Sequence, residues 1–222
     1  MGPNFTLINK PAGWTSFDAV NYVRKTIRKT HPDQKNIKVG HAGTLDPFAT
    51  GLLIVGIGRE ATKKLDEFKK LRKTYVATIK LGATSDTQDV TGIITSQTVT
   101  EQPTQKTVEQ ILQNFVGVQN QIPPMHSAKQ VSGVRLYKLA REGKTVERAP
   151  SSIEIYNIKL LDYSYPLVIL EIQCSTGTYV RTLAEDIGVK LGTGAYCHAL
   201  ERTSIGKYTL AEAQTPDQFK AF

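Results

Sequence analysis

Val39-Gly40-His41-Ala42-Gly43-Thr44-Leu45-Asp46-Pro47-Phe48-Ala49-Thr50-Gly51 is the most informative stretch of this 222-residue sequence. Its glycines let the backbone take positive φ or approach a ligand closely. Pro47 fixes its own φ and biases Asp46 towards an extended conformation. The density of Gly, Thr and Pro predicts a loop over residues 39–50, followed by a short buried strand in the apolar run Leu52–Ile57.

The acid in this loop has two interpretations. A rigidly held carboxylate next to a His and two Thr, directly before a buried strand, is well placed for catalysis. Asp46-Pro47 could equally do no more than start a turn, because Asp before Pro is a frequent turn former. Local chemistry alone leaves both open.

The segments on either side of the loop predict a mixture of strands and helices. Strands are expected at residues 5–9, 52–57, 75–81, 153–161, 167–174, 195–200 and 205–208. Helices are expected after an N-cap at Ser16 and at residues 61–70, 107–115, 136–142 and 179–191. Strand and helix do not alternate regularly, which favours an α+β fold over a doubly wound sheet.

Composition narrows the class of protein. No apolar run approaches the ~20 residues of a membrane helix, and no signal peptide is visible. Cys174 and Cys197 lie in separate apolar segments without closely spaced Cys or His, so we expect buried, reduced cysteines and no metal site. These features favour a cytoplasmic globular protein.

The positive charge is unevenly distributed. The chain carries a net charge of +8, and residues 1–80 contain 15 basic against 6 acidic residues. A second basic stretch covers residues 129–148. Such stretches suggest a polyanionic partner such as nucleic acid, although a solvated surface would give the same pattern.

The central loop and several other motifs resemble one known family. Gly40-His41-Ala42-Gly43-Thr44-Leu45-Asp46-Pro47 resembles the catalytic signature of TruB-type tRNA pseudouridine-55 synthases. In the same order along the chain, further family motifs are matched by Lys10-Pro11-x-Gly13-x-Thr15-Ser16, Lys73-x-Tyr75, Gln121-x-Pro123-Pro124-x-x-Ser127-Ala128-Lys129, Gly177-Thr178-Tyr179-Val180-Arg181-Thr182-Leu183-Ala184 and Leu200-x-Arg202-Thr203. The likeness extends from about residue 5 to residue 210.

This resemblance implies a fold, a reaction and a partner. The expected fold is a mixed, mainly antiparallel sheet flanked by helices, with a catalytic cleft. The expected enzyme is an isomerase that converts the T-loop uridine of tRNA, at position 55, to pseudouridine without cofactor or metal. It would act on the T arm as a monomer, with no membrane and no obligatory protein partner. Residues 1–222 are expected to form one catalytic domain without the PUA-like C-terminal RNA-binding domain of many family members.

The same resemblance assigns roles to individual residues. Asp46 is the essential carboxylate, Tyr75 stacks on the uracil and can act as general base, and Arg181 pairs with Asp46 and keeps it ionised. His41 stacks in the space that the flipped base vacates, and Leu200 forms an apolar wall of the pocket. Gly43, Thr44 and Tyr179 complete the expected substrate site. Without the motifs, Arg181 would be interpreted as a helix-surface charge, and Tyr75 and Leu200 as core.

Three other functions fit the sequence less well than this one. An RNA-binding or tRNA-folding protein would use the same basic surface but would not require Asp46, Tyr75 and Arg181 together. A glycosidase usually needs two paired carboxylates, and only Asp46 is well placed. A nucleotide-binding protein is the weakest, because Gly56-Ile57-Gly58 lacks the third glycine and the strand-to-helix context of a phosphate loop.

Overall fold

The computed structural model describes residues 4–131 and 133–221, which contain five α-helices and thirteen strands. In chain order, the elements are β1 (Phe5–Lys10), α1 (Ser16–Thr30), β2 (Val39–His41), β3 (Thr50–Ile57), α2 (Arg59–Lys69), β4 (Lys73–Leu81), β5 (Ala83–Ser85), β6 (Ile94–Ser96), α3 (Gln105–Gln113), β7 (Gly117–Gln121), β8 (Gln130–Val131), β9 (Val134–Arg135), α4 (Leu136–Arg141), β10 (Ser151–Ser164), β11 (Leu167–Cys174), α5 (Val180–Lys190), β12 (Ala195–Ile205) and β13 (Tyr208–Thr209). Two short 3₁₀ turns follow, at Leu210–Glu212 and Pro216–Gln218.

The chain divides into two units. Unit 1 comprises Met1–Tyr75 and Leu200–Phe222, and unit 2 comprises Val76–Ala199. The strands β4 and β12 each have residues in both units. Whether residues 1–222 act as one domain stays a prediction.

Unit 1 is built around β3. This strand pairs antiparallel with β1 and with β2, and parallel with β12, where Arg202 lies opposite Gly51. Leu53 and Val55 pack with the apolar side of α1, while Leu52 and Ile54 belong to a second cluster that includes Leu65 of α2. Because both faces of β3 are buried, its sequence is continuously apolar rather than alternating.

Helix α1 begins one residue earlier than its predicted cap implies. The N-cap is Thr15, whose hydroxyl accepts from the Asp18 backbone N–H, while the Asp18 carboxylate accepts from the Thr15 backbone N–H. This reciprocal pair is a capping box and satisfies two otherwise unpaired donors. The prediction of Ser16 as the N-cap is therefore wrong, and the Ser16 hydroxyl is left for another partner.

Unit 2 contains an antiparallel arrangement in the order β4-β11-β10-β7. The strands β10 and β11 form a hairpin whose turn contains Tyr165 and Pro166, with register irregularities near Ile155 and Leu160. Helix α5 is buried along much of its length, and Gly188 allows its close approach to Ala195, whose backbone N would lie 2.3 Å from an added Cβ.

The predicted class is confirmed: the fold is α+β with mainly antiparallel strands. Besides the N-cap of α1, further details differ from the sequence predictions. Residues 39–41, expected to be loop, form β2; residues 195–205 form one strand instead of ending at Leu200; and the short strands β5 to β9 were missed. Short strands carry few periodic residues, so they leave little signal in a sequence.

Candidate active site

The backbone around Asp46 is held on both sides. On one side, the buried Ser16 hydroxyl accepts a hydrogen bond from the Leu45 N–H at 2.8 Å and donates to the Leu45 carbonyl at 3.1 Å. On the other, the Pro47 carbonyl accepts from the Gly13 N–H at 2.8 Å. The Asp46 carbonyl itself accepts from the Ala49 N–H at 3.1 Å, so Asp46 does start a turn. The turn and the catalytic interpretation are compatible, because the turn presents the acid on an anchored backbone.

A buried arginine supports the glycine-rich part of the same loop. Arg202 is 1% exposed, and its guanidinium donates to the carbonyls of Gly43 at 3.2 Å, Thr44 at 3.5 Å and Leu52 at 2.8 Å. Gly51 makes room for this strand: a Cβ there would lie 2.4 Å from the Arg202 carbonyl oxygen. Arg202 thus joins the loop to β3 through backbone carbonyls.

A buried lysine lies beside the candidate carboxylate. The side chain of Lys10 is fully buried, and its ammonium donates to the carbonyls of Trp14 at 2.6 Å, Pro11 at 2.9 Å and Pro47 at 3.5 Å. Burial lowers the pKa of Lys10 to about 8; the Asp46 carboxylate opposes this shift, and the Arg202 cation adds to it. Lys10 therefore supports the residue after Asp46 and contributes to the field at its carboxylate.

The other predicted residues of unit 1 occupy distinct environments. His41 ends β2; burial first, and then the Arg202 cation, lower its pKa, which favours the neutral imidazole. Gly43 has φ of +103°, a conformation that suits glycine, and the adjacent Thr44 is exposed. Tyr75 in β4 is 9% exposed and Leu200 in β12 is 7% exposed, so both are also core residues, as their alternative interpretation had it.

In unit 2, Arg181 is enclosed by acceptors. Its side chain is 3% exposed and donates to the carbonyls of Thr87 and His126, each at 2.9 Å. It also forms an ion pair with Asp89 at 3.4 Å. The interpretation of Arg181 as a surface charge is therefore wrong. Its predicted pairing with Asp46 stays a prediction.

Tyr179, the N-cap of α5, is held through its backbone. Its N–H donates to the Gln121 side-chain oxygen at 2.8 Å, and its carbonyl accepts from the Gln121 amide nitrogen at 3.0 Å. Gln121 is itself buried at the end of β7. The start of α5, and with it the backbone next to Arg181, is thereby tied to β7.

The described residues contain neither a candidate metal site nor a candidate membrane span. Within residues 4–131 and 133–221, no group of three or more His, Cys, Asp or Glu is arranged to hold a metal ion. None of the helices in those ranges combines the length and the apolarity that spanning a membrane requires.

Two family models together match residues 28–222 of the chain. The model described as TruB family pseudouridylate synthase (N terminal domain) matches residues 28–180. The model described as tRNA pseudouridylate synthase B C-terminal domain matches residues 181–222. The chain belongs to the TruB family of pseudouridylate synthases.

Curated members of the TruB family are close in sequence. A protein of Parabacteroides distasonis named tRNA pseudouridine synthase B is 48% identical over 215 residues, covering 96% of this chain and 90% of that protein. A protein of the same name from Bacteroides fragilis is 46% identical over 211 residues, with coverage of 95% and 90%. A third, from Geotalea uraniireducens, is 45% identical and is covered over 67% of its length.

Solved structures share the fold of this TruB family member. The chain is similar to one in the crystal structure of a Cbf5-Nop10-Gar1 complex, with a TM-score of 0.70 and 25% identity; it covers 96% of this chain and about half, 52%, of that one. A chain in the structure of an H/ACA RNP bound to a substrate RNA containing 2'-deoxyuridine gives a TM-score of 0.67 at 23% identity. The second likeness concerns the fold alone.

Four residues that contact predicted site residues or their chain neighbours, three in unit 1 and one in unit 2, were given no site role by the sequence. Ser16 was predicted only as the N-cap of α1, Lys10 and Arg202 lay inside the family motifs without a role, and Asp89 had no predicted role. A signal existed for Lys10, which shares the core-facing side of β1 with Thr6 and Ile8. For Asp89 the only hint was the run of short polar residues around it. Its buried carboxylate also accepts from the Thr87 hydroxyl at 2.8 Å and from the Thr91 N–H at 2.9 Å.

Proposed function

We propose that this chain is a tRNA pseudouridine synthase that isomerises the T-loop uridine at position 55, with Asp46 as the essential catalytic residue. Family membership supports the reaction, and the relatives named tRNA pseudouridine synthase B, 46–48% identical over at least 95% of the chain, support tRNA as the substrate. The net charge of +8 suits a polyanionic partner. The enzyme acts as a cytoplasmic monomer on the T arm, without a cofactor or a protein partner.

The observation that carries the role of Asp46 is the anchoring of its two neighbours. Ser16 holds both backbone polar groups of Leu45, and Gly13 and Lys10 hold the Pro47 carbonyl. A carboxylate on such a backbone is positioned before the substrate arrives, so less conformational freedom is lost in the transition state. A solvent-exposed turn would not require a buried hydroxyl and a buried ammonium to hold it.

The chemistry needs one such group. The bond between ribose C1′ and uracil N1 breaks, the base rotates, and C1′ is joined to C5. The proton that leaves C5 is balanced by the proton that N1 gains, so the reaction is an isomerisation without net redox change. The Asp46 carboxylate assists the first step either by attacking covalently or by removing and returning a proton at the sugar.

The remaining predicted residues act around this carboxylate. Arg181 pairs with Asp46 and keeps it ionised, and the ion pair with Asp89 holds the guanidinium in place. Tyr75 stacks on the uracil and accepts the C5 proton, and Leu200 forms an apolar wall. His41, whose neutral ring is favoured by its surroundings, stacks in the space left by the flipped base. Gly43, Thr44 and Tyr179 contact the RNA.

Release of tritium from C5 tests the proposal directly. Purified wild-type protein and Asp46→Asn are incubated with a T-arm stem-loop RNA tritiated at C5 of uridine, and the released tritium is counted. The exposed Asp33, in the loop after α1, supplies a matched control, Asp33→Asn. We expect release by wild type and Asp33→Asn, and none by Asp46→Asn.

A second RNA tests the position. Replacing only the position-55 uridine by cytidine should abolish release, because the other labelled uridines are not substrates. Unchanged release from that RNA would exclude position 55 while keeping the synthase. Binding of both the stem-loop and full-length tRNA without any release would favour an RNA-binding protein without catalysis.

A further inference from the structure

Gln88 has an unusual backbone conformation. Among residues 4–131 and 133–221 it is the only non-glycine residue with positive φ, at +64°. Glycine adopts this conformation readily, whereas a residue with a Cβ is strained there. A residue other than Gly or Asn at such a position persists only where surrounding contacts hold it. The contacts of the Gln88 side chain are candidates for that support.

Its side chain binds α5 at two places. The amide nitrogen of Gln88 donates to the Glu185 carboxylate, and the amide oxygen accepts from the Thr182 hydroxyl at 2.9 Å. Both donor and acceptor of one amide are thus used on one helix, on successive turns. The backbone of Gln88 is also occupied, because its carbonyl accepts from the Cys197 N–H and its N–H donates to the Ser85 carbonyl, both at 2.9 Å.

Gln88 is connected to two segments that hold Arg181, helix α5 and the loop at residues 87–89. Arg181 lies in the first turn of α5, next to Thr182. Its partners Thr87 and Asp89 are the two chain neighbours of Gln88. Gln88 therefore connects α5, which carries the Arg181 guanidinium, to the loop that contains the partners of this guanidinium. A shift of α5 relative to this loop would change the direction in which the Arg181 guanidinium points.

We propose that Gln88 is a positioning residue for the reaction, which sets the placement of the Arg181 guanidinium through its amide bridge to Thr182 and Glu185. This inference rests on the proposed function, since it is the role of Arg181 there that gives its placement a consequence. With its backbone in the left-handed region, Gln88 directs its side chain towards α5. The backbone strain at Gln88 therefore occurs together with the side-chain bridge.

Replacement of Gln88 by glycine separates the effect of the backbone strain from the effect of the side-chain bridge. In Gln88→Gly the backbone strain is relieved and the bridge is lost, so the melting temperature should stay close to that of wild type while kcat falls about tenfold or more. KM for the T-arm RNA should change by less than about threefold, because Gln88 does not bind RNA in this proposal. Gln102→Gly, at an exposed glutamine before α3, is the control and should keep wild-type kcat.

A charge exchange provides a rescue. Gln88→Glu places a carboxylate against Glu185, and Glu185→Gln replaces the charged acceptor of the bridge by a weaker, neutral amide oxygen, so each single change should lower kcat, Gln88→Glu the more strongly. The double variant recreates an amide–carboxylate hydrogen bond with donor and acceptor exchanged. Its kcat should recover to within about threefold of wild type, a strongly non-additive result. Loss of packing alone would not be repaired by this exchange.

The outcomes separate this inference from the proposed function. Wild-type kcat in Gln88→Gly, a kcat that falls only in step with the folded fraction, or a double variant no better than its worse parent would each overturn the role of Gln88. If wild type releases no tritium, the proposed function fails. Amide hydrogen exchange of residues 180–185 then still tests the bridge: faster exchange in Gln88→Gly supports it, and an unchanged rate refutes it.

Discussion

The Ser16 hydroxyl satisfies both backbone polar groups of Leu45, accepting from its N–H at 2.8 Å and donating to its carbonyl at 3.1 Å. Ser16 belongs to the first turn of α1, and Leu45 directly precedes Asp46. One buried hydroxyl thus connects a helix of the core to the proposed catalytic acid. Its two bonds replace the pairing that a loop backbone would otherwise obtain from water.

Removal of this hydroxyl should affect both stability and activity. Ser16→Ala leaves two backbone groups of Leu45 without their partner, so we expect the free energy of unfolding to fall by about 1–3 kcal/mol. The turn at Asp46 should loosen, and kcat for tritium release should fall more than KM rises. Urea unfolding and steady-state kinetics measure the two effects. The exposed Ser96 gives the control Ser96→Ala; equal behaviour of the two variants would refute the role of Ser16.

Arg202 should not be replaceable by lysine. Its guanidinium reaches three carbonyls at 2.8–3.5 Å, on Leu52, Gly43 and Thr44, and an ammonium on a shorter stem cannot reproduce that fork. We expect Arg202→Lys to lower the free energy of unfolding on the order of 3 kcal/mol and to reduce kcat. Arg59→Lys, at an exposed arginine, controls for the chemical change itself. Wild-type stability of Arg202→Lys would contradict the structure.

Two glycines allow the effect of close packing at Gly51 on stability to be distinguished from the effect of its positive φ. Gly51 has φ of +105° and Gly117 has φ of +106°, but only at Gly51 would a Cβ meet other atoms, the Arg202 carbonyl oxygen at 2.4 Å. Gly117→Ala should therefore lower stability by roughly 1–3 kcal/mol through backbone strain alone. Gly51→Ala should lower it clearly further or prevent folding. Thermal unfolding of the two variants measures this difference. Equal melting temperatures would argue against close packing of Gly51 on the Arg202 backbone.

The buried ammonium of Lys10 should make stability depend on pH. Burial lowers its pKa from 10.5 to about 8, so between these values the unfolded chain binds more protons than the folded chain. Stability therefore rises with pH through this window and falls as pH decreases through 8. Relative to Lys10→Met, the free energy of unfolding of wild type should increase from pH 7.5 to 10 by at most roughly 3 kcal/mol. Urea titrations at several pH values measure the difference, and a flat difference would refute a lowered pKa.

Local patterns were sufficient for much of the fold. The run Leu52–Ile57 predicted a buried strand. The helical spacing of Phe17, Val20, Val23 and Ile27 predicted the apolar side of α1, on which the last three are buried while Phe17 is exposed. Both predictions depend only on residues within a few turns of one another. Where two neighbours could serve equally, as Thr15 and Ser16 could at the start of α1, sequence alone chose the wrong one, because Ser16 is engaged by a residue 29 positions away.

The motifs of the sequence determined the family, the α+β class and the candidate acid, because these depend on residue types at short spacings. Only the tertiary structure decided what surrounds them. Arg202 binds the carbonyl of Gly43, 159 positions away, since the parallel pairing of β12 with β3 brings it there. Arg181 likewise meets Asp89 through the packing of α5 against a distant loop. Partners of buried charges are chosen by how strands and helices pack, and no local pattern encodes them.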